Sequence, residues 1–255
     1  MTYLAAYHTD VGLRKNINQD ALLIKTAQTP VEEIGLFVVC DGMGGLSHGE
    51  LASATVIYGL SQWFEHDLPE LLEYEKDNEE IIFQQLENTV EKLNADIVSY
   101  GQEEGVVLGT TLTALLILGK TFFLVQMGDS RAYAIDDNQV IQLTKDQTFV
   151  AREVARGHLT PEEARNHPKR NILLQCIGAR EEIEVVITKG IIEQGMSYLL
   201  CTDGFYHKLS HDELIGYLQT EATETDMKQA IQTLSEIVKS RHETDNISAV
   251  LLKVV

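Results

Sequence analysis

The 255-residue sequence predicts an α+β fold built as one domain, residues 1–255. Three observations carry that expectation. Two long helical patterns follow the early strands. A block of strand-like segments with short connections occupies the middle. Two further helices then precede a final strand. Such segregation differs from the regular strand–helix alternation of a doubly wound sheet. Only four prolines occur, and no Gly/Ser-rich linker, low-complexity tract or internal repeat divides the chain.

Each element has a local reason. Tyr3–His8 and Ala21–Thr26 are short apolar stretches of strand length, and Ile34–Asp41 is a continuous apolar run that ends in Asp, as a buried strand would. From Gly49 to Leu68 apolar residues recur every three to four positions, which predicts a helix; Asn78–Tyr100 repeats the pattern more strongly. Between Gly109 and Leu143 four strands follow one another closely enough to suggest antiparallel hairpins, with Gly119-Lys120-Thr121 as a turn rather than a phosphate loop, because Ala114 stands where such a loop needs its first glycine. Phe149–His167 is polar and helical, with Thr160-Pro161-Glu162-Glu163 as a helix start: Thr160 caps, Pro161 opens the first turn and Glu163 reciprocates. Strands near Ile183–Lys189 and Ser197–Asp203, helices near His211–Leu218 and Glu224–Ser240, and a strand through Asn246–Val254 complete the reading.

Composition excludes several functions. Thirty-nine acidic side chains against twenty basic ones give a net charge of −19 and a pI of about 4.7, with 44% apolar residues. So acidic a chain is unsuited to gripping a phosphate backbone or an anionic membrane surface, both of which need clustered Lys and Arg. No segment approaches the ~20 apolar residues that cross a bilayer, and MTYLAAYHTD lacks the features of a secretory signal, so a cytoplasmic protein is expected. Cys40, Cys176 and Cys201 are odd in number, form no CxxC and sit among apolar residues, so they are expected to be reduced core thiols. Nothing in the sequence indicates an oligomer, and a monomer is expected.

One pattern carries chemistry. Asp41, Asp129, Asp203 and Asp245 each stand where an apolar run stops or starts, and Gly42, Gly128 and Gly204 adjoin three of them. A carboxylate at a strand end is held by a rigid element yet can face a cleft, and several in one cleft repel one another unless cations intervene. All-oxygen ligands without a Cys or His set suit Mg²⁺ or Mn²⁺ rather than zinc. Each Asp-Gly taken alone is equally a common turn dipeptide.

Taken in order, these residues resemble the metal-dependent Ser/Thr protein phosphatase family (PPM, type 2C) in its bacterial form. The matching pieces are Thr9-Asp10 with Gly12, Arg14, Lys15 and Asn18-Gln19-Asp20; Val39-Cys40-Asp41-Gly42-Met43-Gly44-Gly45 with Gly49-Glu50 and Ala52-Ser53; Gly109-Thr110-Thr111; Gly128-Asp129-Ser130-Arg131; Leu143 with Asp146; Gly157 to Ala164 with His167-Pro168; Asp203-Gly204; and Asp245-Asn246. The resemblance implies an αββα sandwich of two antiparallel sheets flanked by helix pairs. It implies that Asp41 bridges two metal ions, that the Gly42 carbonyl binds the second, that Asp203 and Asp245 hold the first, that Asp129 serves a third, and that Asp20 belongs to the metal set. It also implies a flap over residues 146–179. The chemistry it implies is in-line attack of a metal-bridging hydroxide on phosphoserine or phosphothreonine in proteins, with two or three Mn²⁺ or Mg²⁺ per chain, phosphoprotein substrates and an opposing Ser/Thr kinase.

Two departures stand out. The family's phosphate-binding Arg falls at Lys15, one residue after Arg14, so either residue is the expected anchor; Lys keeps the charge but loses the bidentate fork. Gln19 stands where many relatives have Glu. Met43 follows Gly42 where some relatives have His, leaving His8, His48 and His207 as substitute proton donors, with Tyr206 and His207 expected at the cleft rim. Two other functions compete. Gly45-Leu46-Ser47-His48-Gly49 matches the GxSxG elbow of a serine esterase, with Asp203 and His242 following in suitable order. A non-catalytic phosphoprotein-binding member of the same fold would lack the metal carboxylates, all of which are present here.

Overall fold

The computed structural model describes residues 2–30, 32–43, 48–74, 79–136, 138–218 and 223–255. Two five-stranded antiparallel sheets stack face to face. One has the order β1 (Tyr3–Asp10), β10 (Ile247–Val254), β9 (Ser197–Cys201), β6 (Arg131–Ile135) and β7 (Val140–Gln142). The other has β2 (Asp20–Gln28), β3 (Glu33–Asp41), β4 (Leu112–Leu118), β5 (Thr121–Met127) and β8 (Val186–Ile191). Helices α1 (Gly49–Gln62), α2 (Leu68–Tyr74) and α3 (Glu79–Glu104) cover the second sheet, and α6 (Asp203–Tyr206), α7 (His211–Leu218) and α8 (Glu224–Ser240) cover the first. The result is the αββα sandwich that the resemblance implied.

The central strands are apolar on both faces because both faces are buried. In β3, Leu36, Val38 and Cys40 face the helices while Phe37 and Val39 enter the layer between the sheets. In β10, Ala249 and Leu251 face helices while Val250 and Leu252 face the other sheet. The helices bury one stripe each: Ala52, Val56 and Leu60 on α1; Ile82, Leu86, Val90, Leu93 and Ile97 on α3; Met227, Ile231, Leu234 and Val238 on α8.

Several boundaries differ from the sequence reading. The helix expected from Gly49 to Leu68 passes through a π-turn at Trp63–Asp67 before α2, where Pro69 removes an N–H from the α-helical ladder. β5 and β6 do not form a hairpin: the chain crosses from one sheet to the other at Gly128-Asp129-Ser130, with Gly128 at φ 98°. The polar stretch expected as one helix is split into α4 (Phe149–Ala155) and α5 (Pro161–Arg165), and the Thr160–Glu163 capping box opens α5. Asp203 opens α6 instead of ending β9. Gly119-Lys120 form the β4–β5 turn, and all three cysteines are buried and unbridged. Among the described residues no helix is long and apolar enough to cross a membrane.

Phe37 lies fully buried between the sheets, edge-on to Tyr3 at 6.2 Å. Phe37→Ala is expected to cost about 3–5 kcal/mol, read as a lower urea midpoint at unchanged slope.

Candidate active site

Antiparallel pairing gathers the chemistry-bearing residues at one end of the sandwich. The end of β3 lies beside the start of β2, so Asp41 pairs with Asp20. The end of β9 lies beside the starts of β10 and β6, so Cys201 pairs with both Ala249 and Arg131. Asp203, Asp245 and Asp129 flank those same termini by one or two residues. Side-chain contacts then join the sheets: the Thr202 hydroxyl of one donates to Asp20 Oδ2 of the other at 3.0 Å.

A belt of small hydroxyls floors this end. Thr111 Oγ1 accepts from the Asp41 amide at 2.9 Å and lies 2.7 Å from Ser130 Oγ. Thr113 donates to the Ser130 carbonyl, and Thr202 Oγ1 accepts from the Ser248 amide. These hydroxyls satisfy backbone groups at the buried strand ends, so the carboxylates are not needed for that task. Gly42 has no room for a side chain: a Cβ would sit 2.6 Å from the Gln19 carbonyl and closer still to that of Gly49.

The loop from Val11 to Gln19 is a turn rather than a strand, and it closes over Asp245. Asn246 staples it, donating to the Val11 and Ile17 carbonyls at 2.9 and 3.2 Å and accepting from the Gln19 amide at 3.0 Å. Gly12, at φ 77°, packs its α-carbon against the Asp245 carbonyl, where any other residue would collide. This geometry separates the two expected phosphate anchors. Lys15 turns inward and its ammonium lies 2.9 Å from Asp245 Oδ1, whereas Arg14 is exposed. Burial alone would lower the Lys15 pKa, but Asp245, Asp41 and Asp203 together raise it.

The carboxylates carry the signature of crowding. Burial, then Asp20, Asp203, Asp129 and Asp245, push Asp41 well above the usual carboxylate range. Asp129 is raised by burial and by Asp203 and Asp146, against a lowering by Arg131. Asp203 is raised by burial; His207 lowers it, with Nδ1 3.7 Å from Oδ2. Asp20 is pushed up to about 7 by burial, despite hydrogen bonds from Ser248 and Thr202.

Asp20 Oδ1 and Asp203 Oδ1 are buried and accept no hydrogen bond. Among the described residues no three acidic, His or Cys side chains already close around one point as a finished metal set; Asp245 points to Lys15 instead. The orphaned oxygens, the all-oxygen donor set and the crowded charge nevertheless fit hard divalent cations.

A second network ties the site to the segment expected as a flap. Arg131 donates to both oxygens of Asp146 at 2.9 and 2.7 Å and to the Tyr133 hydroxyl at 2.9 Å, and its guanidinium lies 3.7 Å from the Tyr206 ring centre. Tyr206, expected at the rim, is buried, and its hydroxyl donates to the Asp129 carbonyl at 3.0 Å. Arg131 and Asp146 appear in the matching motifs, but their pairing needs the fold. Gln19, in place of Glu, donates to Glu50 at 3.0 Å. Buried Glu243, which the sequence reading passed over, accepts from the Thr244 and Asp245 amides at 2.7 and 3.2 Å. Of the three substitute histidines, His207 contacts the cluster, His8 lies against α8 and His48 caps α1 with φ 65°. Gly44, Gly45 and Ser47 lie outside the described residues, and Asp203 contacts Asp41 and His207 rather than His242.

The raised carboxylates fix a sign for pH dependence. A carboxyl with a folded pKa near 7 and an ordinary unfolded one costs stability progressively as pH rises from about 4 to 7. In chelator-treated protein, Asp20→Asn should raise Tm most at pH 8, and the gain should shrink toward pH 4. A constant gain across that range would show that Asp20 does not titrate upward.

A family model described as Protein phosphatase 2C matches residues 9–251. The chain is 31% identical over 252 residues to the serine/threonine protein phosphatase PstP of Mycobacterium tuberculosis, covering 98% of this chain and 45% of that protein, so it spans about half of that relative's length. It is 29% identical to a putative 2C-type protein phosphatase of Streptococcus pyogenes over 96% of this chain and 94% of the relative. Among solved structures it superposes on Stp1 of Staphylococcus aureus with a TM-score of 0.88 at 29% identity, covering 100% and 96% of the two chains. The catalytic domain of PstP in complex with two manganese ions gives 0.81 at 30% identity, covering 99% and 98%. The family match spans nearly the whole chain and the sandwich superposes on those of solved relatives, so the chain belongs to the protein phosphatase 2C family.

Proposed function

We propose that this protein is a serine/threonine protein phosphatase that removes phosphoryl groups from phosphoserine and phosphothreonine and requires Mn²⁺ or Mg²⁺. What carries the reading is the convergence of Asp20, Asp41, Asp129, Asp203 and Asp245 at one end of the sandwich, with two buried carboxylate oxygens unpartnered and one lysine turned into the group. The relatives named as serine/threonine phosphatases, and the manganese pair in the PstP domain, support it. Asp41 with the Gly42 carbonyl, Asp203 and Asp245 would hold two cations, Asp129 would serve a third, and Asp20 would support the set from behind Asp41. When bound, such cations offset the carboxylates' repulsion, acidify a water and stabilise charge on the phosphoryl oxygens.

The chain's own residues do the rest. Lys15, held by the Asn246-stapled loop, supplies the fixed positive charge that orients a phosphate dianion. Asn246 and Gly12 act by placing Lys15, and the hydroxyl belt holds the strand termini rigid. His207, beside Asp203, is the imidazole best placed to pass a proton to the departing serine or threonine oxygen. Neither Cys40 nor Cys201 can serve as nucleophile: both are buried, and burial pushes their thiols up. The proposal extends to a monomeric cytoplasmic enzyme opposing a Ser/Thr kinase. No feature of the described residues favours the esterase or the non-catalytic binder.

The direct test is hydrolysis of p-nitrophenyl phosphate with Mn²⁺. Asp41→Asn should lower kcat by at least about 100-fold, and EDTA should abolish turnover until Mn²⁺ is restored. Activity that persists in EDTA and yields to a fluorophosphonate would instead establish the esterase. Lys15→Ala should raise KM about tenfold or more, the scale of one charge-assisted hydrogen bond, while Arg14→Ala should leave KM within about twofold. The reverse order would return the anchor to Arg14.

A further inference from the structure

One long stretch beside the site reverses the acidic character of the chain. From Ala164 to Arg180 it carries Arg165, Lys169, Arg170 and Arg180 and no Asp or Glu, in a protein with 39 acids and 20 bases. The fold anchors this stretch at the cleft. Leu174 donates to the Gln147 carbonyl at 2.7 Å, and Ile177 and Thr110 exchange two hydrogen bonds. Thr110 in turn bridges to Gly42, next to Asp41. Gln147 is bound to Gly128 twice, at 2.7 and 3.0 Å, directly before Asp129. The basic stretch therefore hangs from the two rims that carry Asp41 and Asp129.

An aromatic ring positions one of its cations. The Phe149 ring, two residues after Gln147, gathers Lys169 Nζ at 5.1 Å and the Arg152 guanidinium at 5.3 Å, with the His167 ring tilted against it at 5.8 Å. Two residues of chain span at most about 7 Å, so this cluster stands within a few residues' reach of a peptide whose phosphorylated residue lies in the cleft. Glu153 lies within ion-pair distance of Arg152 and Arg156, and within hydrogen-bond distance of His158 Nδ1, on the α4 side. Arg165, Lys169 and Arg170 are exposed and form no ion pair among the described residues. Lys169 on the aromatic face, with Arg165 and Arg170 in the same stretch, thus carries positive charge that an incoming anion can meet.

We propose that this basic face binds acidic side chains flanking the phosphorylated residue, so that the enzyme selects phosphosites set among Asp and Glu. The proposal rests on the phosphatase reading and adds the substrate class to it. Against a net charge of −19, this face offers acidic flanks cations from which basic flanks gain nothing.

The test compares three phosphothreonine peptides, identical except for flanks of Glu, Ala or Lys, with p-nitrophenyl phosphate as the flank-free reference for normalising each rate. The native chain should show kcat/KM about tenfold higher for the Glu peptide than for the Ala peptide, carried mainly by KM and shrinking between about 0.05 and 0.5 M NaCl as screening shortens to a few ångströms. In Arg165→Gln/Lys169→Gln/Arg170→Gln the preference should fall below about twofold. Anisotropy titration of a labelled phosphothreonine peptide with Glu flanks against the same two proteins gives a readout independent of turnover, and the variant should bind at least about fivefold more weakly. Equal native rates for Glu and Ala flanks, or a preference that survives in the variant, would overturn the proposal. Loss of turnover on every substrate would overturn the phosphatase reading instead, while the titration would still decide the role of the basic face.

Discussion

The constraint on which the rest of this structure depends is the cost of crowding carboxylates at a buried rim. Asp20 and Asp41 face each other across a strand pair, and Asp129, Asp203 and Asp245 add their fields from neighbouring termini. Nothing local would assemble such a group, because each charge raises the cost of the next. Three apolar layers hold it together: one between the sheets and one under each helical face. The hydrophobic free energy of these layers offsets the repulsion, and the strand pairing decides that the repulsion falls at one end rather than being spread over the surface.

The protein manages the remaining strain with neutral donors and two cations. Small hydroxyls of Thr111, Thr113 and Thr202 satisfy the buried backbone. Lys15 faces the cluster from a loop that Asn246 holds shut. Arg131 stands behind it and joins Asp146 to Tyr206 on the same short helix as Asp203. The positions of Asp146 and of the helix that carries Asp203 thus share one guanidinium.

Much of the fold was legible because burial imposes a period on sequence. The strands Ile34–Asp41 and Leu112–Leu118, the capping box at Thr160 and the helices His211–Leu218 and Glu224–Ser240 follow from apolar spacing and turn chemistry. The β5–β6 connection was misread as a hairpin, since two strands joined by a short turn look alike whether they share a sheet or change sheets. The rim position expected for Tyr206 failed for a related reason: an aromatic after Asp-Gly-Phe carries no mark of which side of its helix will be covered.

By itself, the sequence determined the α+β class, the apolar strands, the excess of acid and the Asp residues at strand ends, because those depend on residue type and spacing along the chain. Tertiary structure alone decided that Lys15 rather than Arg14 turns inward, that Asp20 stands opposite Asp41, that Arg131 meets Asp146 and Tyr206, and that the basic stretch after Ala164 hangs beside the cleft. Each of these is a meeting between residues far apart in the chain, and such a meeting is fixed by sheet register and loop closure, which no local pattern encodes.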